Sequence, residues 1–224
     1  MNCILLIIQG KFIWLKVLVN IFNIIIFFNV FWCCELGFVS IEKECYYKKD
    51  IEFLEALIIN SQNGLNPPHK NMDILKLGLQ IWDSGRLVEF CCSNSTTTNC
   101  KMDFILTGKI PLEIGNLNKL RRISLESNRL EGVLPLEIGK LVELEELLLS
   151  SNKLEGKIPE TIGNIQFLRT ISFKGNNISG PIPESMKQLK QLEWLYLASN
   201  QLSGKIPKWI GDLDNLKYLN LSNN

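Results

Sequence analysis

The sequence feature that most constrains the fold is a series of asparagines spaced 24 residues apart. The series comprises Asn128, Asn152, Asn176, Asn200 and Asn224. A fixed period of this length is typical of stacked structural repeats, each of which forms one unit of a solenoid. Apolar residues stand at matching positions around each asparagine, as in residues 120–132. The chain is therefore predicted to form a repeat solenoid here, and solenoids commonly act as extended binding surfaces.

The frame around each asparagine predicts which side chains are buried. Ile123, Leu125 and Leu130 are expected to point into a core that one repeat cannot close, so each repeat must stack on its neighbours. The asparagine stands where the chain leaves the strand, and its amide can both donate and accept hydrogen bonds there. An unsatisfied buried polar group costs about 1 to 3 kcal/mol. The five asparagines are therefore predicted to form a buried structural ladder.

A second signature, Leu-x-Gly-x-Ile-Pro, follows the asparagine frame. It occurs with small variations at residues 106–111, 154–159, 178–183 and 202–207, and Leu134-Pro135 stands in the remaining repeat. Together with Leu-x-x-Leu-x-Leu-x-x-Asn-x-Leu, it resembles the plant-type extracellular leucine-rich repeat. That repeat occurs in receptor-like kinases, receptor-like proteins and secreted polygalacturonase-inhibiting proteins.

The resemblance covers residues 104–224 and implies an α/β repeat fold. The implied architecture is a right-handed leucine-rich-repeat solenoid with a parallel β-sheet on the concave face, a short second strand near each Ile-Pro, and an N-terminal cap. We assign the cap to residues 41–103 and about five repeats to residues 104–224, the last one truncated at Asn224. A solenoid without a terminal cap exposes its last apolar layer, so we interpret the chain as a fragment of a longer protein.

Residues 1–40 are much more apolar than the rest of the chain. Lys11 and Lys16 precede a run over residues 17–34 whose only polar interruptions are asparagines. This composition predicts a signal peptide or an uncleaved signal anchor, with a faulty start or a buried core helix as the remaining alternative. The lysines should stay cytoplasmic. Membrane association through this segment or through a span beyond residue 224, and a location in the secretory pathway, cell membrane or extracellular space, are therefore expected.

Four of the seven cysteines lie between the apolar run and the repeats. They are Cys45, Cys91, Cys92 and Cys100. Cysteines placed ahead of a solenoid favour a disulfide-stapled cap, while free thiols or a metal site are the alternatives. The spacing is not that of a zinc site and His69 is the single histidine. We therefore expect disulfides and no metal.

The remaining cap sequence predicts one helix and a pair of strands. Asp50 is predicted to cap a helix that runs through Ile51, Leu54, Leu57 and Ile58 and stops near Asn63-Gly64 and Pro67-Pro68. The alternation of Leu75, Leu77 and Leu79 predicts a strand. A returning strand is expected over residues 87–90.

Three segments match the N-glycosylation pattern Asn-x-Ser/Thr. They begin at Asn94, Asn177 and Asn220. Asn94 lies in a Ser/Thr-rich segment, so we expect it to be the most readily modified of the three.

Charge and catalytic motifs exclude two classes of function. The 24 basic residues nearly balance the 23 acidic residues, so there is no basic field for nucleic acid. Glu113 and Glu137 occupy equivalent positions in consecutive repeats, which explains their spacing without a catalytic role. His69 has no neighbouring nucleophile motif. We therefore predict no catalytic residues, no cofactor and no enzyme activity.

The strand pattern instead predicts a binding face. Side chains alternate along a strand, so if Leu195 and Leu197 point inward, Trp194 and Tyr196 face the concave side. The binding residues predicted in this way are Trp194, Tyr196, Tyr218, Leu148, Lys174 and Glu146. The alternative is that the aromatic rings pack on one another or on a further repeat.

The resemblance implies that the chain is a recognition domain for a protein or peptide ligand, with a co-receptor as a further partner. The leading hypothesis is the ectodomain of a plant receptor-like kinase or receptor-like protein. The alternatives are a secreted inhibitor of cell-wall-degrading enzymes, built on the same repeat, and a truncated product without function.

Overall fold

The computed structural model describes the backbone of residues 2–8 and 11–17, and the backbone and side chains of residues 34–42, 44–94, 100 and 102–224. The chain divides into two compact units, Met1–Lys48 and Lys49–Asn224. Most of the apolar run, residues 18–33, lies outside the described residues. In the described ranges, no helix combines the length and the apolar character needed to cross a bilayer.

The first unit contains two antiparallel hairpins. Their strands are β1 (Asn2–Ile8) paired with β2 (Lys11–Val17), and β3 (Phe38–Ile41) paired with β4 (Glu44–Tyr47). A disulfide joins Cys34 to Cys45, whose Cα atoms are 5.5 Å apart. The sequence prediction placed Cys34 in the leader and did not pair it. The hairpin places Ser40 opposite Cys45, and a turn closed by a hydrogen bond from the Phe38 N–H to the Glu35 carbonyl lies between Cys34 and β3.

Helix α1 (Lys48–Ser61) belongs to the second unit except for its first residue, and it is followed by the antiparallel pair β5 (Leu79–Asp83) and β6 (Arg86–Cys91). Asp50 lies inside the first turn of α1, so the prediction that it caps the helix was wrong. The predicted strand through Leu75 and Leu77 was also wrong, because residues 74–76 form a 3-10 helix and only Leu79 enters a strand.

Two sheets run the length of the second unit. The larger has seven strands in the order β16-β14-β12-β10-β8-β6-β5, and all its pairs except β5 with β6 are parallel. Its repeat strands are β8 (Arg122–Ser124), β10 (Glu146–Leu148), β12 (Thr170–Ser172), β14 (Trp194–Tyr196) and β16 (Tyr218–Asn220). The smaller sheet has the order β15-β13-β11-β9-β7. Its strands are β7 (Thr107–Lys109), β9 (Arg129–Val133), β11 (Lys153–Gly156), β13 (Asn177–Gly180) and β15 (Gln201–Leu202).

A 3-10 helix follows the proline of each repeat. The 3-10 helices of the second unit are Ile74–Lys76, Leu112–Asn116, Leu136–Lys140, Glu160–Asn164, Glu184–Gln188 and Lys208–Asp212. In the repeats, proline suits the residue before the helix because its fixed φ is compatible with the turn and its missing N–H needs no partner. Glycine at position 139 lets adjacent helices approach closely, since a Cβ there would lie 2.5 Å from the Thr161 carbonyl oxygen. The repeats therefore stack tightly on the side opposite the larger sheet.

One continuous apolar core runs through the stacked repeats. The middle residue of each interior strand is fully buried, as are Leu125, Leu149 and Phe173 beyond the strand ends. This arrangement of stacked strands, turns and short helices confirms the predicted α/β repeat solenoid with a parallel sheet.

The asparagines connect adjacent repeats through their side chains. Asn152 is 8% exposed, accepts a hydrogen bond from the Leu130 N–H at 2.9 Å and donates to the carbonyls of Leu125 and Leu149 at 2.9 and 3.1 Å. The other four asparagines of the series repeat this pattern: Asn128, Asn176, Asn200 and Asn224. Each amide therefore satisfies backbone groups of its own repeat and of the preceding repeat.

Candidate functional site

The larger sheet presents two rows of outward side chains that run across its strands. In-register pairing sets one row as Glu89, Arg122, Glu146, Thr170, Trp194 and Tyr218, and the other as Cys91, Ser124, Leu148, Ser172, Tyr196 and Asn220. We call this surface the sheet face. Because neighbouring parallel strands lie about 4.8 Å apart, residues that are distant in sequence form one continuous surface.

Aromatic residues cluster at the β14 and β16 end of the sheet face. Trp194 is the register partner of Tyr218. The rings of Tyr196 and Tyr218 have centroids 4.9 Å apart and are tilted by 36°. Tyr218 is 45% exposed and the other two rings are half-buried. The two tyrosine rings contact each other, Trp194 neighbours Tyr218 across the strand pair, and all three rings present area to solvent; we call this group the aromatic cluster.

A lysine that the sequence pattern did not single out completes the edge of the aromatic cluster. The Lys217 ammonium lies 5.2 Å from the centre of the Trp194 ring, a distance suited to a cation–π contact. The same ammonium pairs with the Glu193 carboxylate at 2.5 Å. This hydrogen bond is the main cause that lowers the pKa of Glu193. Lys217 thus orients the indole ring and is itself held by an acidic neighbour.

Small polar and charged side chains form the opposite half of the sheet face. Ser150 and Ser172 are buried, and their hydroxyl oxygens are 2.5 Å apart. Arg122 pairs with Glu146 at 3.1 Å across adjacent strands. Burial raises the pKa of Glu126, while the nearby Ser150 hydroxyl and the positive charge of Arg122 oppose that rise. This half is polar, and the charges of Arg122 and Glu146 neutralise each other within it.

The remaining predicted binding residues stand between these halves. Leu148 is half-buried and is separated from Tyr196 by Ser172 of the intervening strand. The Glu146 carboxylate forms an ion pair with Arg122, and Lys174 is exposed just beyond the end of β12. The six residues therefore lie along one face, where strand register brings the three aromatic residues together and leaves the other three apart from them.

The cysteines of the cap follow the sequence prediction only in part. A disulfide joins Cys91 to Cys100, with Cα atoms 5.9 Å apart. Cys92 was predicted as a disulfide candidate and this was wrong, because its thiol is free and buried in the core. Burial raises the pKa of Cys92 to about 12. A thiol in this setting is a core residue, since the reactive thiolate form is suppressed.

The residues considered for catalysis are dispersed. His69 is exposed and its Nδ1 accepts a hydrogen bond from the Asn71 N–H at 3.2 Å. Glu113 and Glu137 lie in successive 3-10 helices, and Glu137 packs against Gly115. Over the described part of the chain, no three His, Cys, Asp or Glu side chains are grouped to hold a metal ion.

Asp50 and Arg86 form a structural site that the sequence pattern did not predict. Asp50 is fully buried, and its carboxylate accepts hydrogen bonds from Arg86 at 2.9 Å and from the Leu87 N–H at 2.9 Å. Arg86 also donates to the Asn116 carbonyl and to the Asn118 side chain. This network ties α1 and β6 to the first repeat. The sequence signal for it is a charged residue inside an otherwise apolar helix face.

The three glycosylation candidates have different surroundings. The Asn94 side chain extends the asparagine ladder, because its amide nitrogen donates to the Phe104 carbonyl and to the Asn128 side-chain oxygen. Asn177 is exposed on β13, and Asn220 lies on the sheet face beside Tyr196. The Ser/Thr-rich residues 95–99 that favoured Asn94 lie outside the described residues.

Known families match the repeats directly. The leucine-rich-repeat model matches residues 119–141, 143–165 and 167–189, and a two-copy model of the same repeat matches residues 190–224. The repeats of residues 119–224 belong to the leucine-rich-repeat family. The predicted resemblance is thereby confirmed. No curated protein matches the chain at a significant level.

Similar solved structures are plant receptors. A TDR receptor is 42% identical over 54% of this chain and 21% of its own length, with a TM-score of 0.53. The plant peptide hormone receptor RGFR1, in complex with RGF2, is 38% identical over 53% of this chain and 19% of its own length, with a TM-score of 0.52. The leucine-rich-repeat ectodomain of the receptor kinase SOBIR1 from Arabidopsis thaliana is 27% identical, covers 80% of this chain and 94% of that chain, and has a TM-score of 0.64. The chain thus spans about a fifth of the first two receptors and nearly all of the SOBIR1 ectodomain.

Proposed function

We propose that the chain is a non-enzymatic extracellular recognition domain of a plant receptor-like kinase or receptor-like protein, and that it binds a peptide or protein ligand on the sheet face. The exposed aromatic cluster carries the proposal. Tyrosine and tryptophan dominate binding energy at protein interfaces because they bury large area at a small cost in conformational entropy. RGFR1 in complex with RGF2 supports a peptide as the ligand class. A co-receptor is the second partner that we propose.

The location that we propose is outside the cell. Disulfides persist in oxidising compartments, and the described residues contain two, Cys34–Cys45 and Cys91–Cys100. Residues 1–40 would deliver the chain to the secretory pathway, residues 41–103 would cap the solenoid, and residues 104–224 would carry the ligand face.

Within the sheet face, we assign the main contact to Trp194, Tyr196 and Tyr218. Leu148 would extend the apolar contact from two strands away, and Glu146 and Lys174 would contribute polar contacts at the rim. Rim charges adjust association rate and specificity more than affinity. The aromatic residues should therefore account for most of the binding free energy.

Selection from a peptide library tests the proposal and itself supplies the ligand to be measured. A random-peptide phage library is selected on the unglycosylated full chain, and the selected sequence is synthesised and titrated by calorimetry. Tyr218→Ala should weaken binding by at least about 2 kcal/mol, or about thirty-fold in Kd. Its melting temperature should change little, because Tyr218 is 45% exposed.

Phe167 provides the matched control, since it is an exposed aromatic residue, 60% accessible, outside the two outward rows of the sheet face. Phe167→Ala should leave the affinity of the selected peptide unchanged. Equal affinity of wild type and Tyr218→Ala, with a lowered melting temperature of the variant, would show that the cluster serves packing and that the ligand site lies elsewhere.

A further inference from the structure

The side-chain nitrogen of Asn94 donates hydrogen bonds that are part of the folded structure. That nitrogen donates one hydrogen bond to the Phe104 carbonyl at 2.8 Å and one to the Asn128 side-chain oxygen at 3.2 Å. An N-linked sugar replaces one of the two hydrogens that serve these bonds. A glycan at Asn94 would therefore remove part of the asparagine ladder in the folded chain.

Asn220 has the opposite arrangement. Its side-chain oxygen accepts hydrogen bonds from the Ser222 N–H at 3.1 Å and from the Ser222 hydroxyl at 2.8 Å. Its amide nitrogen donates to no residue in the part of the chain that the structure describes. Ser222 therefore holds the amide by its oxygen and leaves the nitrogen able to carry a substituent without loss of a hydrogen bond.

The surroundings of Asn220 are aromatic. Tyr218 lies two residues earlier on the same strand, and thus on the same face, while Tyr196 is the register partner on β14. A strand spacing of about 4.8 Å is close to the width of one sugar ring. The apolar C–H face of an N-acetylglucosamine attached at Asn220 can therefore lie against the Tyr218 and Tyr196 rings, which present a partly exposed aromatic surface.

Asn177 lacks such a surface. It is exposed on β13, its register partner is Glu155, and the residue two positions earlier is Gly175. A glycan at Asn177 would project into solvent from the smaller sheet. The chain therefore contains an internal control for the effect of a neighbouring aromatic surface.

We propose that Asn220 carries an N-linked glycan whose first N-acetylglucosamine packs on Tyr218 and Tyr196 and covers the aromatic cluster. In the transfer step, a bond forms between the Asn220 Nδ2 and the anomeric carbon of the sugar. The bond from that carbon to a lipid pyrophosphate donor breaks, and Nδ2 loses a proton. The regulatory consequence rests on the proposed function: the glycosylated form has a closed ligand face and the unglycosylated form an open one.

The site is tested on the full chain secreted from a eukaryotic host. Glycopeptide mass spectrometry should find Asn220 and Asn177 occupied. The accessibility of each tyrosine is then measured by its rate of nitration with tetranitromethane in wild type, Ser222→Ala and Asn177→Gln. Ser222→Ala removes the Asn220 glycosylation motif without changing either aromatic ring.

Nitration of Tyr218 should be about fivefold slower in glycosylated wild type than in Ser222→Ala, because a bulky glycan covers the ring. Asn177→Gln should behave like wild type, and Tyr46 and Tyr47 in the first unit should react equally in all three chains. Asn220→Gln provides a second variant without the glycan and should match Ser222→Ala. An unoccupied Asn220 beside an occupied Asn177, or equal nitration of Tyr218 in occupied and unoccupied chains, would overturn the proposal.

Neither the glycan occupancy nor the rate of tyrosine nitration depends on a binding partner. Both results are therefore expected even if the proposed ligand-binding function is wrong. The regulatory consequence is measured separately with the synthetic peptide selected on the unglycosylated chain. Its affinity for the glycosylated wild type should be at least about tenfold weaker than for Ser222→Ala, because the glycan occupies the aromatic hot spot. Equal affinity, with protection of Tyr218 in place, would disprove masking.

Discussion

The interior and the last rung of the asparagine ladder make the same hydrogen bonds in different surroundings. Asn152 accepts from a backbone N–H 22 residues earlier and donates to a carbonyl 27 residues earlier, both at 2.9 Å. Asn224 repeats these contacts at 3.1 and 3.0 Å. Asn152 is buried and Asn224 is exposed. Water can replace a lost partner only at the exposed rung, so equal geometry does not mean equal stabilisation.

The ion pairs at the two ends of the larger sheet differ in the same way. Asp50, at the cap end, is fully buried and meets Arg86 at 2.9 Å. Lys217 and Glu193, at the far end, meet at 2.5 Å, but the Lys217 side chain is 64% exposed. The shorter contact is the one that solvent screens, and we expect it to stabilise the fold less.

The largest expected effect is that of removing Asp50. Asp50→Ala should lower the free energy of unfolding by about 3 to 5 kcal/mol, because it leaves Arg86 without its buried partner and removes the acceptor of the Leu87 N–H. Lys217→Ala, the matching substitution at the exposed pair, should change the free energy of unfolding by less than about 1 kcal/mol. Denaturant unfolding of the two variants measures the difference. Equal losses would show that burial does not separate the two ends.

The second prediction compares the rungs themselves. Asn152→Leu should destabilise the chain by about 1 to 3 kcal/mol, since a similarly sized apolar side chain leaves buried backbone groups unpaired. Asn224→Leu should cost less than about 0.5 kcal/mol, as exposed substitutions usually do. Urea midpoints at constant m-value would separate these outcomes. A larger loss at Asn224 than at Asn152 would contradict the assignment of the buried rung.

The smallest effect concerns two carboxylates whose pKa values move in opposite directions. Burial raises the pKa of Glu126, so its contribution to stability is present at low pH and is lost as the pH rises through the raised pKa. The hydrogen bond from Lys217 lowers the pKa of Glu193, so its contribution is present above the usual carboxylate pKa and is lost as the pH falls through the lowered one.

Glu126→Gln should therefore become more stable relative to wild type as the pH rises above 4.5, and Glu193→Gln should become less stable relative to wild type as the pH rises towards 4.5 from below. Melting temperatures at a series of pH values, at constant ionic strength, measure both. Parallel curves for the two variants would show that burial does not dominate at Glu126.

Periodicity made the repeats predictable and the cap unpredictable. The strand positions and the ladder follow from a spacing that occurs four times among five asparagines, so each repeat tests the assignment made for the others. Asn94 joins the ladder 34 residues before Asn128, outside that period. The Cys34–Cys45 pairing and the role of Asp50 depend on how single segments meet in space, and no sequence repetition reports that.

The candidate site likewise has one part that the repeat pattern predicts and one part that it does not. Alternation along the strands placed Trp194, Tyr196 and Tyr218 on one face, because the direction of each side chain follows from the backbone. The position of Lys217 over the Trp194 ring depends on side-chain rotamers, which the repeat frame does not specify. The orientation of the Asn220 amide by Ser222 is of the same kind.

The hydrogen bonds of each asparagine cross a repeat boundary, and this has a consequence for how such chains change length. In the regular repeats a rung bonds to backbone groups 22 and 27 residues behind it, so the gain or loss of a whole 24-residue unit keeps every such rung paired. Recombination between equivalent positions in two repeats produces such a change and leaves the reading frame of the ladder intact. A whole repeat is therefore a step by which the sheet face can lengthen or shorten without loss of the ladder's hydrogen bonds.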